Sequence, residues 1–289
     1  MNTIANTIKQ RLSLREPLAE ALDVLTRLVD KLSLSKPERQ SDKEAEAVAY
    51  EVYLKEQLQR VKEVCPYCKD FERDFPSFAF SIATGIGKTR LMGACIAYLY
   101  LAKGIRHFFI LAPNLTLYEK LMRDFGDPSY EKYVFKGISE FVHNEPLIIT
   151  GDNYNKARNL FSDNQIQISI FNISKFNTES KEGGKKGAPK MRRLSEYLGQ
   201  SYFDYLSSLD DLVILMDEAH RYHADASKKA INELRPILGL EMTATPTDEK
   251  GKSFKNIVYE YNLAQALADG KYVKIPTIAR RRNFSRGNM

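Results

Sequence analysis

Three cysteines among 289 residues cannot build a disulfide framework, and in a reducing compartment they stay as thiols. No apolar run approaches the roughly 18–20 residues of a membrane-spanning helix. The N-terminus, Met1-Asn2-Thr3-Ile4, lacks the charged-then-apolar layout of a secretory signal, so a cytoplasmic protein is expected. Histidine is as sparse as cysteine: only His107, His143, His220 and His223 occur. Cys65-Pro66-Tyr67-Cys68 therefore finds neither a second Cys-x-x-Cys nor a nearby histidine pair to complete a four-ligand zinc site. A redox dithiol normally follows a strand and opens a helix, whereas Ala45 to Val64 upstream is a charged helical run. A zinc half-site, a redox pair and a plain turn at a helix end all stay open, the turn being the simplest. Charge of one sign is in mild excess, a net +6 that is concentrated in the 181–186 and 280–282 stretches. Such basicity permits a nucleic-acid partner without demanding one. What is present, 43% apolar and 28% charged residues, is the composition of a globular chain with a sizeable core, in one large or two small domains.

The first 75 residues have helical periodicity. Leu18, Leu22, Leu25, Leu28, Val29 and Leu32 recur at three- and four-residue steps, with Pro17 placed for a first turn. Asp42 to Val64 reads as a second amphipathic run, and both are expected to pack on the flank of the domain that starts near residue 76. From Phe78 onward strands and helices alternate. Strands are expected at Phe78–Ile82, His107–Ala112, Tyr133–Phe135, Leu147–Thr150, Ile166–Ile173 and Asp211–Met216, and at the segment ending in Thr243. Helices are expected at Arg90–Leu101, Leu115–Phe125 and Arg192–Leu206, and a Gly/Lys/Ser-rich loop at Thr178–Lys190. This alternation predicts an α/β fold, a mainly parallel sheet flanked by helices, with ligands at the carboxyl ends of the strands.

At the end of the first of these strands lies Ala83-Thr84-Gly85-Ile86-Gly87-Lys88-Thr89. Two glycines between a strand and a helix let successive backbone N–H groups turn toward phosphate oxygens at the positive end of the helix. Thr84, Gly85, Ile86, Gly87, Lys88, Thr89 and the following Arg90 are thus the candidate nucleotide-binding set. Lys88 is placed to reach the β- and γ-phosphates, and the Thr89 hydroxyl to ligate magnesium. Asp217-Glu218-Ala219-His220 follows the most continuous apolar strand of the chain. Asp217 is placed to hold the magnesium shell, and Glu218 to polarise an attacking water. An acidic pair after a strand is often only a helix start, but the order of the two motifs favours a nucleotide site.

The succession ATGIGKT, LAPNLTLYEKL, DEAH and TATP resembles the first RecA-like lobe of superfamily 2 helicases and translocases. It is most similar to the helicase part of the restriction (Res) subunits of type III restriction-modification systems, through Leu111-Ala112-Pro113-Asn114-Leu115 and Ile170–Phe176. The resemblance implies a RecA-like P-loop NTPase lobe at 76–280, an N-terminal helical segment at 1–75, and at 281–289 the start of a linker to a second lobe. It implies ATP and Mg2+ as cofactors. It also implies double-stranded DNA as partner, contacted through Pro113, Asn114 and Leu115 and through Asn172, Ser174 and Lys175. His220, Thr243 and Thr245 would couple the nucleotide to that track. A second RecA-like lobe carrying an arginine finger, a nuclease domain and a DNA methyltransferase (modification) subunit are the further partners it implies, and the chain alone is expected to hydrolyse ATP weakly or not at all. Arg15-Glu16-Pro17-Leu18 resembles the setting of an adenine-reading glutamine, with Leu18 in its place. A nucleotide-gated scaffold and a P-loop phosphotransferase acting on a small molecule are the alternative functions.

Overall fold

The computed structural model describes residues 2–37, 42–150, 153, 165–172, 200–223, 225–248 and 251–272. Helices α1 (Thr3–Arg11), α2 (Glu16–Val29) and α3 (Lys43–Lys62) precede the first strand. Among the described residues seven strands make up the rest of the framework: β1 (Ser77–Ile82), β2 (His107–Ala112), β3 (Leu147–Ile149), β4 (Gln167–Asn172), β5 (Leu212–Asp217), β6 (Leu238–Thr243) and β7 (Ile257–Tyr261). They form one sheet in the order β3-β4-β2-β5-β6-β1-β7, and every pairing is parallel. Parallel strands need crossovers, and these carry α4 (Lys88–Lys103), α5 (Leu115–Gly126), α6 (Ser139–His143), α7 (Gln200–Ser208) and α8 (Asp225–Glu233); α9 (Leu263–Asp269) follows β7.

Because side chains alternate along a strand, one sheet feeds two cores. Phe108, Ile110, Val213, Leu215, Leu240 and Met242 join the larger core, beneath α1, α2, α4 and α5. Phe109, Leu111, Ile214 and Met216 join the other, with Tyr202, Leu206 and Ile231 of α7 and α8. The central helix α4 is buried continuously from Leu91 to Leu99, since α1 and α2 cover the side turned away from the sheet. Leu18, Ala21, Leu22, Leu25 and Val29 supply that cover, as their spacing predicts. The second expected run is helical and packs on the flank through a narrow face: Val61 is buried in the larger core and Leu54 and Leu58 lie against it, while Gln57 is the other buried residue of α3 among those described. Val48 and Val52 stand exposed there.

Tyr133–Phe135 is a turn, not a strand. Its aromatic and β-branched residues satisfy the core instead of a sheet: Phe135 stacks on Phe141 at 4.1 Å, and Val134 N donates to the Asp124 carbonyl at 2.8 Å. Val134 also fills the space left by Gly93 on α4, where a Cβ would come within 2.6 Å of it. Strand β7 went unrecognised in the sequence because its five residues sit at the sheet edge with one face open. Of the Arg192–Leu206 helix, only the part from Gln200 is described; the Thr178–Lys190 loop, Ser174, Lys175 and 281–289 lie outside the described residues.

The Cys65–Cys68 tetrapeptide is a tight turn just after α3, with Cys68 N donating to the Cys65 carbonyl at 3.1 Å. Both thiols are buried, and burial pushes Cys68 up to about 12 and Cys65 above its ordinary value. That is opposite to what a reactive thiolate needs. Among the described residues no group of His, Cys, Asp and Glu side chains could hold a metal in that manner, and no helix is long and apolar enough to cross a membrane.

Candidate nucleotide site

The loop from Ala83 to Gly87 leaves β1 at the carboxyl edge of the sheet and enters α4 at Lys88. Gly85 (φ 86°) and Gly87 (φ 125°) occupy backbone regions that L side chains avoid, which is why the turn needs glycine at both positions. Arg15, just before α2, donates from Nη1 to the carbonyls of Gly85 (2.8 Å) and Ile86 (3.0 Å). This brace fixes the two peptide units through which the loop enters α4. Leu18 packs so close to Gly87 that a Cβ there would meet it at 3.1 Å. The position where a base-reading glutamine was expected is thus an apolar contact under the phosphate loop.

Asp217 closes β5, separated from β1 by β6 alone, and the backbone then turns left-handed at Glu218 (φ 52°, ψ 54°) into a short 3-10 turn, Ala219–Tyr222. A left-handed glutamate is uncommon and mildly strained, and such strain concentrates at functional positions. Here it aims the carboxylate at the loop: Glu218 Oε1 lies 3.2 Å from Lys88 Nζ. His220 Nδ1 is 3.6 Å from Glu218 Oε2, 3.3 Å from Thr243 Oγ1 and 3.1 Å from Thr245 Oγ1. The hydroxyl hydrogen of Thr243 is spent on the Thr245 carbonyl (2.9 Å), so at that contact the histidine nitrogen is the donor. Burial holds the His220 pKa below its ordinary value despite Glu218, which keeps the ring neutral and compatible with that role. Burial, then the neighbouring Glu218, raises the Asp217 pKa, against the opposing pull of Lys88 and Lys120.

The phosphate loop, Arg90, Asp217 and Glu218 line a cleft of about 680 Å³, and His220, Thr243 and Thr245 lie behind Glu218, outside its lining. Its size is that of a small-molecule site. Thr89 and Asp217 offer a hydroxyl and a carboxylate, the hard oxygen donors that suit magnesium. Arg15, Lys120, Asp124 and Lys132 also line it. None of the four was expected in the nucleotide site, because they arrive from outside the two motifs, although Lys120 lies within LAPNLTLYEKL and Arg15 within Arg15-Glu16-Pro17-Leu18.

The residues expected to touch nucleic acid assemble only in part. Ala112 of β2 pairs in register with Asn172 of β4, so Pro113–Leu115 leaves the sheet beside the end of β4. Leu115 is exposed, and the Asn114 side chain caps α5 by accepting from Leu117 N at 2.9 Å. Pro113 and Asn172 are buried.

A parallel sheet that presents a glycine loop and, two strands away at the same edge, an acidic pair joined to it by Lys88 defines a RecA-like P-loop lobe. Residues 51–248 match the family described as the type III restriction enzyme Res subunit. The chain belongs to that family. The probable type III restriction-modification enzyme HindVIP Res subunit of Haemophilus influenzae is 27% identical over 199 residues, which cover 65% of this chain and 34% of that protein. Among solved structures, a nuclease-deletion mutant of the Type ISP restriction-modification enzyme LlaGI, in complex with a DNA substrate mimic, aligns with 81% of this chain and 20% of its own at 12% identity and a TM-score of 0.43. The SWI2/SNF2 ATPase core of Sulfolobus solfataricus in complex with dsDNA aligns with 58% of this chain and 28% of its own, at 15% identity and a TM-score of 0.34.

Proposed function

We propose that the chain is the ATP-binding motor lobe of a DNA-dependent ATPase, a helicase or translocase, of a type III restriction enzyme. The observation that carries the reading is the Lys88–Glu218 contact of 3.2 Å, which puts phosphate loop and acidic motif at one cleft, with His220 linking Glu218 to Thr243 and Thr245. Loop amides and Lys88 hold the β- and γ-phosphates, and Glu218 orients the attacking water. Thr89 and Asp217 would hold magnesium, which when bound neutralises charge on the β- and γ-phosphates. Hydrolysis that changes the contacts of Glu218 is felt at His220, and through it at the two threonines leading out of β6.

The chain spans about a third of the length of its curated relative, 34%. The rest of the machine is therefore part of the proposal: residues 76–280 as the lobe, 1–75 as its helical flank, and 281–289 leading toward a second RecA-like lobe with an arginine finger. A nuclease domain, a methyltransferase subunit and double-stranded DNA as the track complete it, in a cytoplasmic enzyme. DNA contact through Pro113–Leu115 and the segment 172–175 rests on phosphate recognition by backbone and hydroxyl groups, so affinity should fall with added salt.

The decisive experiment compares ATPase rates of the full-length protein with and without double-stranded DNA, beside equilibrium binding of a fluorescent ATP analogue to wild type and Lys88→Ala. DNA-stimulated hydrolysis and loss of binding in the variant are expected. Equal binding by the Lys88→Ala protein removes the nucleotide-site assignment. The 289-residue chain by itself should bind the analogue but turn ATP over negligibly, because an arginine from a facing lobe is worth about 10³–10⁵ in rate.

A further inference from the structure

Helix α5 runs between the two places on which the proposed function depends. Its N-terminus follows Pro113 and Asn114, and Lys120 stands five residues on, about 7.5 Å along the axis. Lys120 turns back to the phosphate loop. Its ammonium donates to Thr89 Oγ1 at 2.7 Å and pairs with Asp124 Oδ2, one turn further along α5, at 3.2 Å. The Asp124 side chain is 5% exposed. Its other oxygen, Oδ1, is buried and has no hydrogen-bond partner among the described residues. The Lys120 side chain is 44% exposed and so has room to move. It is also one of two lysines whose charge acts on Asp217.

Lys120 therefore sits on the hydroxyl assigned to magnesium, near the carboxylate assigned to magnesium. A hydroxyl oxygen bound to magnesium at about 2.0–2.1 Å cannot keep an ammonium at hydrogen-bond distance without crowding three positive charges around one atom. Of the two cations, the ammonium on its flexible four-carbon stem is the one free to leave. Resting on the nucleotide-site reading, we propose that Lys120 is a displaceable cation that competes with magnesium for Thr89: without metal it lends its charge to the phosphate loop, and the metal drives it off that oxygen and away from the phosphates. Asp124, rooted in the core, keeps the ammonium within reach of both positions.

Competition for one oxygen has a signature that a merely structural lysine lacks. Removing Lys120 takes a positive charge from a metal-free polyphosphate and, at the same time, frees Thr89 for the metal. The experiment titrates a fluorescent ATP analogue into the 289-residue chain in EDTA and across a magnesium series, for wild type, Lys120→Met and Lys120→Arg. The Met variant should bind the analogue about 10-fold more weakly in EDTA but within about 3-fold of wild type at saturating magnesium, with a lower half-saturating magnesium concentration. The Arg variant should retain the wild-type ratio. Loss of affinity by the same factor with and without metal, or no change in either, overturns the competition. Wild-type chain that binds no analogue, or Lys88→Ala chain that binds it normally, overturns the nucleotide site as well, and so identifies which of the two readings failed.

Discussion

Replacing Glu241 by alanine should be among the most damaging single changes in this molecule, although the residue lies outside the nucleotide cleft. Glu241 points from β6 into the core shared with α7 and α8, and its side chain and that of Arg73 are both 0% exposed. The carboxylate accepts from Arg73 Nε (3.0 Å), Ser77 Oγ (2.7 Å), His223 Nε2 (2.7 Å) and Asn256 Nδ2 (3.2 Å). Burial alone would push its pKa up, but the Arg73 charge and the His223 hydrogen bond outweigh burial and hold the group ionised well below the usual carboxylate range. Breaking a buried pair strands the remaining charge, at about 3–5 kcal/mol. Ser77 and Asn256 lose an acceptor in the same step, so the upper half of that range is expected, against total stabilities of about 5–15 kcal/mol. With no tryptophan in the chain, urea denaturation followed by far-UV circular dichroism is the suitable assay. The double variant Arg73→Met/Glu241→Leu removes both charges, so it should be clearly more stable than the sum of its single variants predicts. A loss below about 1 kcal/mol for Glu241→Ala, or additive effects in the double variant, would refute a charge-stranding origin.

The same geometry sets three further outcomes. The His223 pKa is raised: burial lowers it, but hydrogen bonds to Glu241 and Glu72 prevail. The folded chain therefore holds this proton more tightly than the unfolded chain, whose histidine titrates near about 6.5. Its contribution is complete below that pH and is lost as pH rises through the folded value, so the urea midpoint should drop from pH 6 to pH 8 and the drop should shrink in His223→Gln. A midpoint that rises over that interval for this group would reverse the assignment. Glu218→Gln in the full-length protein should retain ATP and hydrolyse it about 100-fold more slowly, the scale of a lost general base; wild-type turnover in a single-turnover assay would assign the water to another residue. Gly93→Ala should cost about 1–3 kcal/mol in the urea assay, because its Cβ would meet Val134 at 2.6 Å; an unchanged midpoint would mean the turn at 133–135 yields freely.

The phosphate loop was legible because its chemistry is local: two glycines with positive φ between a buried strand and a helix are contiguous in the chain. The β5 strand with its acidic end was legible for the same reason. The link between His220 and the two threonines was reached only by family resemblance, since its partners lie 23 and 25 residues apart. Lys120 and Arg15 lie in stretches that carry the resemblance, but their place in the cleft was not legible, because nothing in a lysine at the second turn of a helix says which neighbouring element it faces. The Arg73–Glu241 pair spans 168 residues and looks, in sequence, like two surface charges. Tyr133–Phe135 misled for a different reason: aromatic and β-branched residues favour a strand, but the same residues serve a turn whose side chains are buried.

The unit that is inherited and the unit that folds have different lengths in this protein. Family similarity begins at residue 51, yet the brace on the phosphate loop comes from Arg15, and Leu18 supports the glycine where the loop enters its helix. Asn2 Nδ2 donates to Tyr98 OH at 2.7 Å, and α2 supplies much of the apolar cover over α4. An excision guided by the recognisable segment would lay bare a helix that is buried from Leu91 to Leu99 and release the two loop carbonyls that Arg15 holds. Domain swaps among relatives should therefore take their N-terminal joint upstream of α1, whatever the alignment suggests.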